Sequence, residues 1–264
     1  MAPHSRFRIL LFGLLLIVLA PAWARAAEPS LAETLNIAGR QRMLSQRIVA
    51  LYAGIGQDVQ TAQATLALGQ AIALFDQQLT ILHERAPTPE IKAALGEVER
   101  LWQPFRDAAS VTPSRDGALW LATQSEELLR ACHKVVLMLQ DWAGTPTARL
   151  VNVSGRQRML SQRITKNYLL LAWGLNSAAL REELEQARLE FRGALVELRQ
   201  TPDNTPEIRQ ALDEVALEWG VFEQAFNLEQ GKQFIPLLVV MSADKILKRM
   251  DDITALYERL TAGG

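Results

Sequence analysis

Apolar residues recur at helical spacing along almost the whole chain. Leu68, Ile72, Phe75, Leu79 and Leu82 form one stripe, and Ile91, Leu95, Val98, Trp102 and Phe105 form another. A third runs through Leu128, Cys132, Val135, Val136 and Leu139. Steps of three and four place such residues on one face of a helix, and no convincing run alternates with period two. The punctuation agrees with this reading. Thr88-Pro89-Glu90 and Thr205-Pro206-Glu207 are matched helix starts. The threonine caps orphan N–H groups, proline suits the first helical position, and glutamate favours the positive end of the dipole. Pro113 and Pro146 fall in other breaks. The pattern predicts an all-α protein.

The same pattern occurs twice. Residues 39–48 and 155–164 both read GRQRMLSQRI, an offset of 116, with Asn36 and Asn152 preceding them at matching positions. Phe75, Leu79 and Leu82 correspond to Phe191, Leu195 and Leu198 at that offset. After a one-residue insertion the offset becomes 117, so that Pro89-Glu90-Ile91 maps to Pro206-Glu207-Ile208. Leu95, Val98, Trp102 and Phe105 then map to Leu212, Val215, Trp219 and Phe222, Ser125 to Ser242, and Val136 to Ile253. Repeats of this kind define architecture. They predict two tandem up-down-up-down four-helix bundles over 27–145 and 146–264, related by internal duplication. An even helix count returns the chain to its starting end. The linker Gly144-Thr145-Pro146-Thr147 is short, so the two motif helices should run parallel if the halves lie side by side. The pairing is expected either within one chain, as a pseudo-dimer, or between chains, as a homodimer.

The first 26 residues change the compartment rather than the fold. Arg6 and Arg8 precede an apolar run from Ile9 to Ala20, followed by Pro21 and small residues ending Ala24-Arg25-Ala26. That order is a secretory signal peptide over 1–26, cleaved after Ala26, with an uncleaved N-terminal anchor as the rival. The run is short for a bilayer, which takes about 20 apolar residues. A periplasmic protein that does not span the membrane after signal removal is expected. The formal net charge of −1 comes from 28 basic and 29 acidic residues, and losing three arginines with the signal leaves the remainder mildly acidic. With no basic cluster, nucleic acid is not an expected partner. Cys132 is alone, so no intrachain disulfide forms, and it reads as a core cysteine rather than as one half of a Cys132-His133 metal pair. No nucleophile–base pair, metal-ligand spacing or glycine-rich phosphate loop is present, so neither an enzyme nor a cofactor or metal is expected.

The repeated motif carries the candidate chemistry. At about 100° per residue, Ile37, Leu44, Ile48 and Leu51 form a stripe toward the module's own core. Ala38, Arg42, Ser45 and Val49 form a second, small-sided stripe, with Ser154, Arg158, Ser161 and Thr165 in the second copy. Arg40 and Arg47 lie on a third face with Asn36. If the motif helices pack stripe to stripe, Arg42 and Arg158 meet near a pseudo-twofold axis. Two guanidiniums in a dry place repel and lose hydration, and a small planar oxyanion relieves both effects. Gly39 and Gly155, one turn earlier, keep space for it, and Ser45 and Ser161 complete the anion-binding set. A helix with three arginines is more often a solvated face, and the repeated segment could simply preserve packing or reflect gene conversion. Met43, Met159, Trp102 and Trp219 read as packing.

The stretches NIAGRQRMLSQR over 36–47 and NVSGRQRMLSQR over 152–163 resemble the signature of the PilJ-type domain, the N-terminal sensor region of type IV pili methyl-accepting chemotaxis transducers. That domain is similar to the periplasmic domain of nitrate/nitrite sensor histidine kinases. The resemblance implies four-helix bundles. It also implies one anion held between the first helices of two copies by a symmetric arginine pair. The motif Ala-Gly-x-x-Arg-Met-x-Ser-x-Arg aligns that arginine with Arg42 and with Arg158, and Ser154 replaces the alanine in the second copy. The expected function is therefore a periplasmic sensor-type protein binding nitrate or nitrite, with a membrane sensor or transducer as a further partner. The alternative is a ligand-independent interaction module whose small-sided stripe docks such a partner. The chain ends at Gly264 without a membrane exit, so signalling by this chain alone is not expected.

Overall fold

A computed structural model describes residues 30–229 and 235–262; the expected signal peptide lies outside them. The elements are α1 (Leu31–Ile55), α2 (Thr61–Arg85), α3 (Pro89–Ala109), α4 (Arg115–Ala143), α5 (Pro146–Ala172), α6 (Ala178–Arg199), α7 (Pro206–Glu229) and α8 (Pro236–Ala262). No strand occurs among the described residues. The expected starts are made as the sequence indicates. The Thr88 hydroxyl accepts from Ile91 N at 3.2 Å and that of Thr205 from Ile208 N at 3.2 Å. Between the halves, Gly144 ends α4 in the left-handed region at φ 61°, Thr145 caps α5, and Pro146 begins it. Only glycine takes that φ without steric cost, so the chain turns sharply here.

In each half the helices pack in sequence order around one core, α1 closing on α4 and α5 on α8. The cores are copies of each other. Trp102 stacks on Phe75 with centroids 3.8 Å apart, and Trp219 on Phe191 at 4.2 Å. Gln41 donates to Phe75 O at 3.3 Å, and Gln157 to Phe191 O at 2.9 Å. Tyr52 OH receives Ser114 N at 3.1 Å, and Tyr168 OH receives Ile235 N at 2.6 Å. Each tyrosine thus ties the start of its module's last helix to the motif helix.

The halves join within the one chain. α1 lies along α5 in the most extensive helix pair, with α8 also touching α1 and α4 touching α5. Residue numbers rise together across this contact: Arg47 Nη1 donates to Gln162 Oε1 at 3.2 Å and Gln57 Nε2 to Leu169 O at 3.0 Å. The motif helices are therefore parallel and in register. Burial follows from this position. α1 is surrounded by its own module and by α5 and α8, so Gln41, Arg42, Ser45 and Gln46 are all at most 2% exposed.

The packing corrects two expectations. Ala38 does not face the other motif helix with Arg42 and Ser45; it shares its own module's core with Leu82, Leu95, Cys132 and Val135. An offset of 117 over the fourth helices pairs Ser125 with Ser242 and Val136 with Ile253. Their buried positions coincide instead at 118: Leu121 with Val239, Leu128 with Ile246, Cys132 with Met250, Val135 with Ile253 and Leu139 with Tyr257. One more residue is inserted before α8, and helical packing conceals such a shift when many positions are apolar. No described helix is long and apolar enough to cross a membrane.

Candidate functional site

The third face of α1 is only partly exposed, because it packs against α8. Asn36 Nδ2 donates to Glu258 Oε2 at 2.7 Å, Arg40 Nη2 to Asp251 Oδ1 at 3.0 Å, and Arg47 Nη1 to Asp244 Oδ1 at 2.6 Å. Partners descend α8 as α1 ascends, forming an antiparallel polar ladder between the halves. The matching positions on α4 at offset 118 are Gln140, His133 and Glu126. Asn152 Nδ2 donates to Gln140 Oε1 at 2.6 Å and Arg163 Nη2 to Glu126 Oε2 at 2.6 Å. Three carboxylates on one side thus correspond to a carboxamide, an imidazole and one carboxylate on the other.

Arg42 and Arg158 sit between the two ladders, 1% and 0% exposed. Each reaches across to the opposite motif helix. Arg42 Nη2 donates to Asn152 O at 3.3 Å, and Arg158 Nη2 to Asn36 O at 3.5 Å and Asn36 Oδ1 at 2.7 Å. Both guanidiniums converge on the paired glycines. A Cβ on Gly39 would lie 3.4 Å from Arg158 Nη2 and 3.6 Å from Arg42 Nη2, and one on Gly155 would lie 3.1 Å and 3.6 Å from the same atoms. A side chain at Gly155 would press on the Arg158 guanidinium, so glycine preserves the arginine position. Ser45 and Ser161 are buried, but their hydroxyls donate to Arg42 O at 2.8 Å and Arg158 O at 2.9 Å. Those protons are used within the helix. Met43 and Met159 are core residues.

The arginines differ in their counter-charge. Arg158 Nη1 bonds Asp251 Oδ1, which also holds Arg40. Burial alone would raise the Asp251 carboxyl, but Arg158 and Arg40 outweigh it and hold it below the usual range. Arg42 instead meets His133, its Nη1 lying 3.1 Å from Nδ1. Among the described residues no carboxylate pairs with Arg42. Burial and then Arg158 push its guanidinium down to about 9, so it remains a cation at neutral pH. His133 is pushed down to about 4 by burial and by Arg42 and Arg156. The neutral ring therefore accepts from Arg42. Cys132, next to it in sequence, points into the core, where burial pushes its thiol up to about 12. The two residues thus share no ligand geometry, and no group of three metal ligands occurs among the described residues.

The depressed His133 value sets a pH dependence. An unfolded histidine titrates near 6.5, so between that pH and about 4 the unfolded chain binds the extra proton. Stability should be complete above pH 6.5 and fall as pH drops through this window. Discounted for the half-exposed ring, the loss is about 1 kcal/mol, or about 2–4 °C in Tm. Thermal melts of the wild type and His133→Gln at pH 7 and pH 4 check it. An equal fall in both proteins would show that His133 does not contribute.

Arg42, Arg158, Gly39 and Gly155 are brought together as a cluster, with Ser45 and Ser161 at its edge. Sequence reasoning missed Asp251, His133 and the roles of Asn36 and Asn152. The register of 118, which sets His133 opposite Asp251, was the signal for the first two.

The family profile described as Type IV pili methyl-accepting chemotaxis transducer N-term matches residues 23–128 and 142–253. No curated protein and no solved structure matches the chain. The family match spans most of both halves and breaks near the Gly144 turn. The chain therefore belongs to the PilJ family and carries two tandem copies of its domain.

Proposed function

We propose that the chain is a periplasmic sensing module that binds one small, planar, monovalent oxyanion, nitrate or nitrite, between Arg42 and Arg158. The carrying observation is two fully buried guanidiniums converging on paired glycines, of which Arg158 bonds a carboxylate and Arg42, among the described residues, bonds none. A buried cation without a counter-charge is costly. An anion beside Arg42 removes that cost, and guanidinium forks suit planar oxyanions. Of the two motif arginines, Arg42 is the one without a carboxylate among the described residues, and a monovalent anion supplies that one charge. Arg42 Nε and Arg158 Nε, both buried, have no acceptor among the described residues, so bonding capacity remains at both sides. Membership of the PilJ family is that of a chemotaxis-transducer-related sensing or interaction module, and the ligand state would be read by a membrane partner.

Calorimetric titration of the protein lacking residues 1–26 with nitrate and nitrite, and with sulfate as control, tests the reading. One monovalent anion per chain is expected. Arg42→Ala and Arg158→Ala should each weaken binding about 100-fold, the equivalent of losing charged hydrogen bonds of about 3 kcal/mol. Absence of nitrate and nitrite binding would remove the proposal. The reading in which the small-sided stripe docks a foreign helix has less support, since Arg42, Ser45 and Val49 are already buried within the chain.

A further inference from the structure

The pseudo-twofold axis between α1 and α5 relates two grooves with different contents. In one, Lys166 of α5 is fully buried. Its Nζ lies 2.7 Å from Glu126 Oε1, 3.3 Å from Ser125 Oγ and 3.8 Å from Glu183 Oε2. Arg163 bonds the same Glu126. The groove is a closed quartet of two cations and two carboxylates. In the other groove the corresponding residues are Ala50 for Lys166, Ala67 for Glu183, Arg47 for Arg163 and Asp244 for Glu126. One pair of opposite charges is kept, and the other is cut back to two methyl groups.

A partly enclosed cavity of about 110 Å³ lies there, lined by all four of these residues. One water needs only about 10–15 Å³ on this measure, so the space suits a small organic molecule. Leu51, Val59, Leu169 and Val240 make much of the remaining wall apolar. Arg47 reaches Asp244 Oδ1 and Gln162 through Nη1, which, among the described residues, leaves its Nη2 and Asp244 Oδ2 for a ligand. The side chains lost relative to the other groove are an ammonium and a carboxylate together. A lone amine or a lone acid would unbalance the remaining ion pair, whereas a molecule carrying both charges restores the quartet.

We propose that this cavity binds a small zwitterionic α-amino acid, with its ammonium on Asp244, its carboxylate on Arg47 and a short aliphatic side chain against the apolar wall. The site shares no group with the Arg42–Arg158 cluster, so its fate and that of the oxyanion reading are separable.

L-valine is the probe, titrated calorimetrically into the protein, with isobutylamine and isobutyrate as half-ligands. One valine per chain is expected, with each half-ligand at least tenfold weaker. The double variant Ala50→Lys with Ala67→Glu rebuilds the quartet of the other groove. It should lose valine binding while melting no lower than the wild type and still binding nitrate if the wild type does. Asp244→Asn should weaken valine at least tenfold, and it decides the matter if the double variant melts low. No valine binding at millimolar concentration, unchanged binding in a stable double variant, unchanged binding in Asp244→Asn, or an equally tight half-ligand would overturn the proposal.

Discussion

Removing Asp251 with alanine should lower the unfolding free energy by about 3 kcal/mol, while Arg42→Met should leave it unchanged or raise it. Both changes act on one buried cluster, and their opposite signs follow from its charges. Asp251 is the carboxylate on Arg158 and also holds Arg40. Without it, two buried guanidiniums converge with no carboxylate bonded to either among the described residues. Breaking a buried pair from one side costs about 3–5 kcal/mol, and the 40% exposure of the Asp251 side chain argues for the lower end. Arg42 is different. Its protein partners are a neutral imidazole and a backbone carbonyl, and its charge is opposed by burial and by Arg158. Methionine keeps most of the unbranched stem and removes the charge. Urea unfolding in buffer free of nitrate and nitrite reads both variants. A loss in Arg42→Met as large as that in Asp251→Ala would show that Arg42 is an ordinary structural cation. Under the oxyanion reading, Asp251→Ala should also gain more in Tm from added nitrate than the wild type does, because two cations then await one anion.

Truncating Trp102 to alanine should cost about 3–5 kcal/mol, the range for deleting a large buried aromatic. The indole is fully buried, stacked on Phe75 and tilted against Phe105. Phenylalanine substitutions separate packing from hydrogen bonding. Trp102 Nε1 donates to Asp76 Oδ1 at 2.6 Å, whereas Trp219 Nε1 is buried without an acceptor among the described residues. The position matching Asp76 is Arg192, which offers no acceptor. Trp102→Phe should therefore be more destabilising than Trp219→Phe by about 1.5–3 kcal/mol, the net worth of a hydrogen bond to a charged group. Denaturant midpoints of the two variants give the comparison, and equal losses would assign the whole effect to ring volume.

Most of the fold was legible because its signals are local and doubled. Thr88-Pro89 and Thr205-Pro206 announce helix starts by capping chemistry, and the aromatic pairs Phe75–Trp102 and Phe191–Trp219 repeat the same core. The Arg42–Arg158 juxtaposition was also legible, since parallel helices with one motif bring equal positions together. The surroundings were harder. α1 is buried on nearly every side, so a wheel that seeks one apolar face misassigns Ala38, and arginines that look solvated are held by α8. Asp251 and His133 sit on helices whose spacing had drifted by two residues relative to the motif. Only three-dimensional packing restores that register. The Lys166 quartet was equally hidden, since its four members come from three helices and its counterpart in the first half is marked only by two alanines.

The Gly144 turn, with Thr145 and Pro146 directly after it, has a kinetic consequence. Because it tethers α5 beside α1, the arginine cluster assembles by a unimolecular step, at a local concentration fixed by the tether rather than by expression level. Dilution cannot take such a site apart, and mixing with other copies is not needed to build it. Under the oxyanion reading, occupancy should then report the ligand alone at any abundance of the protein.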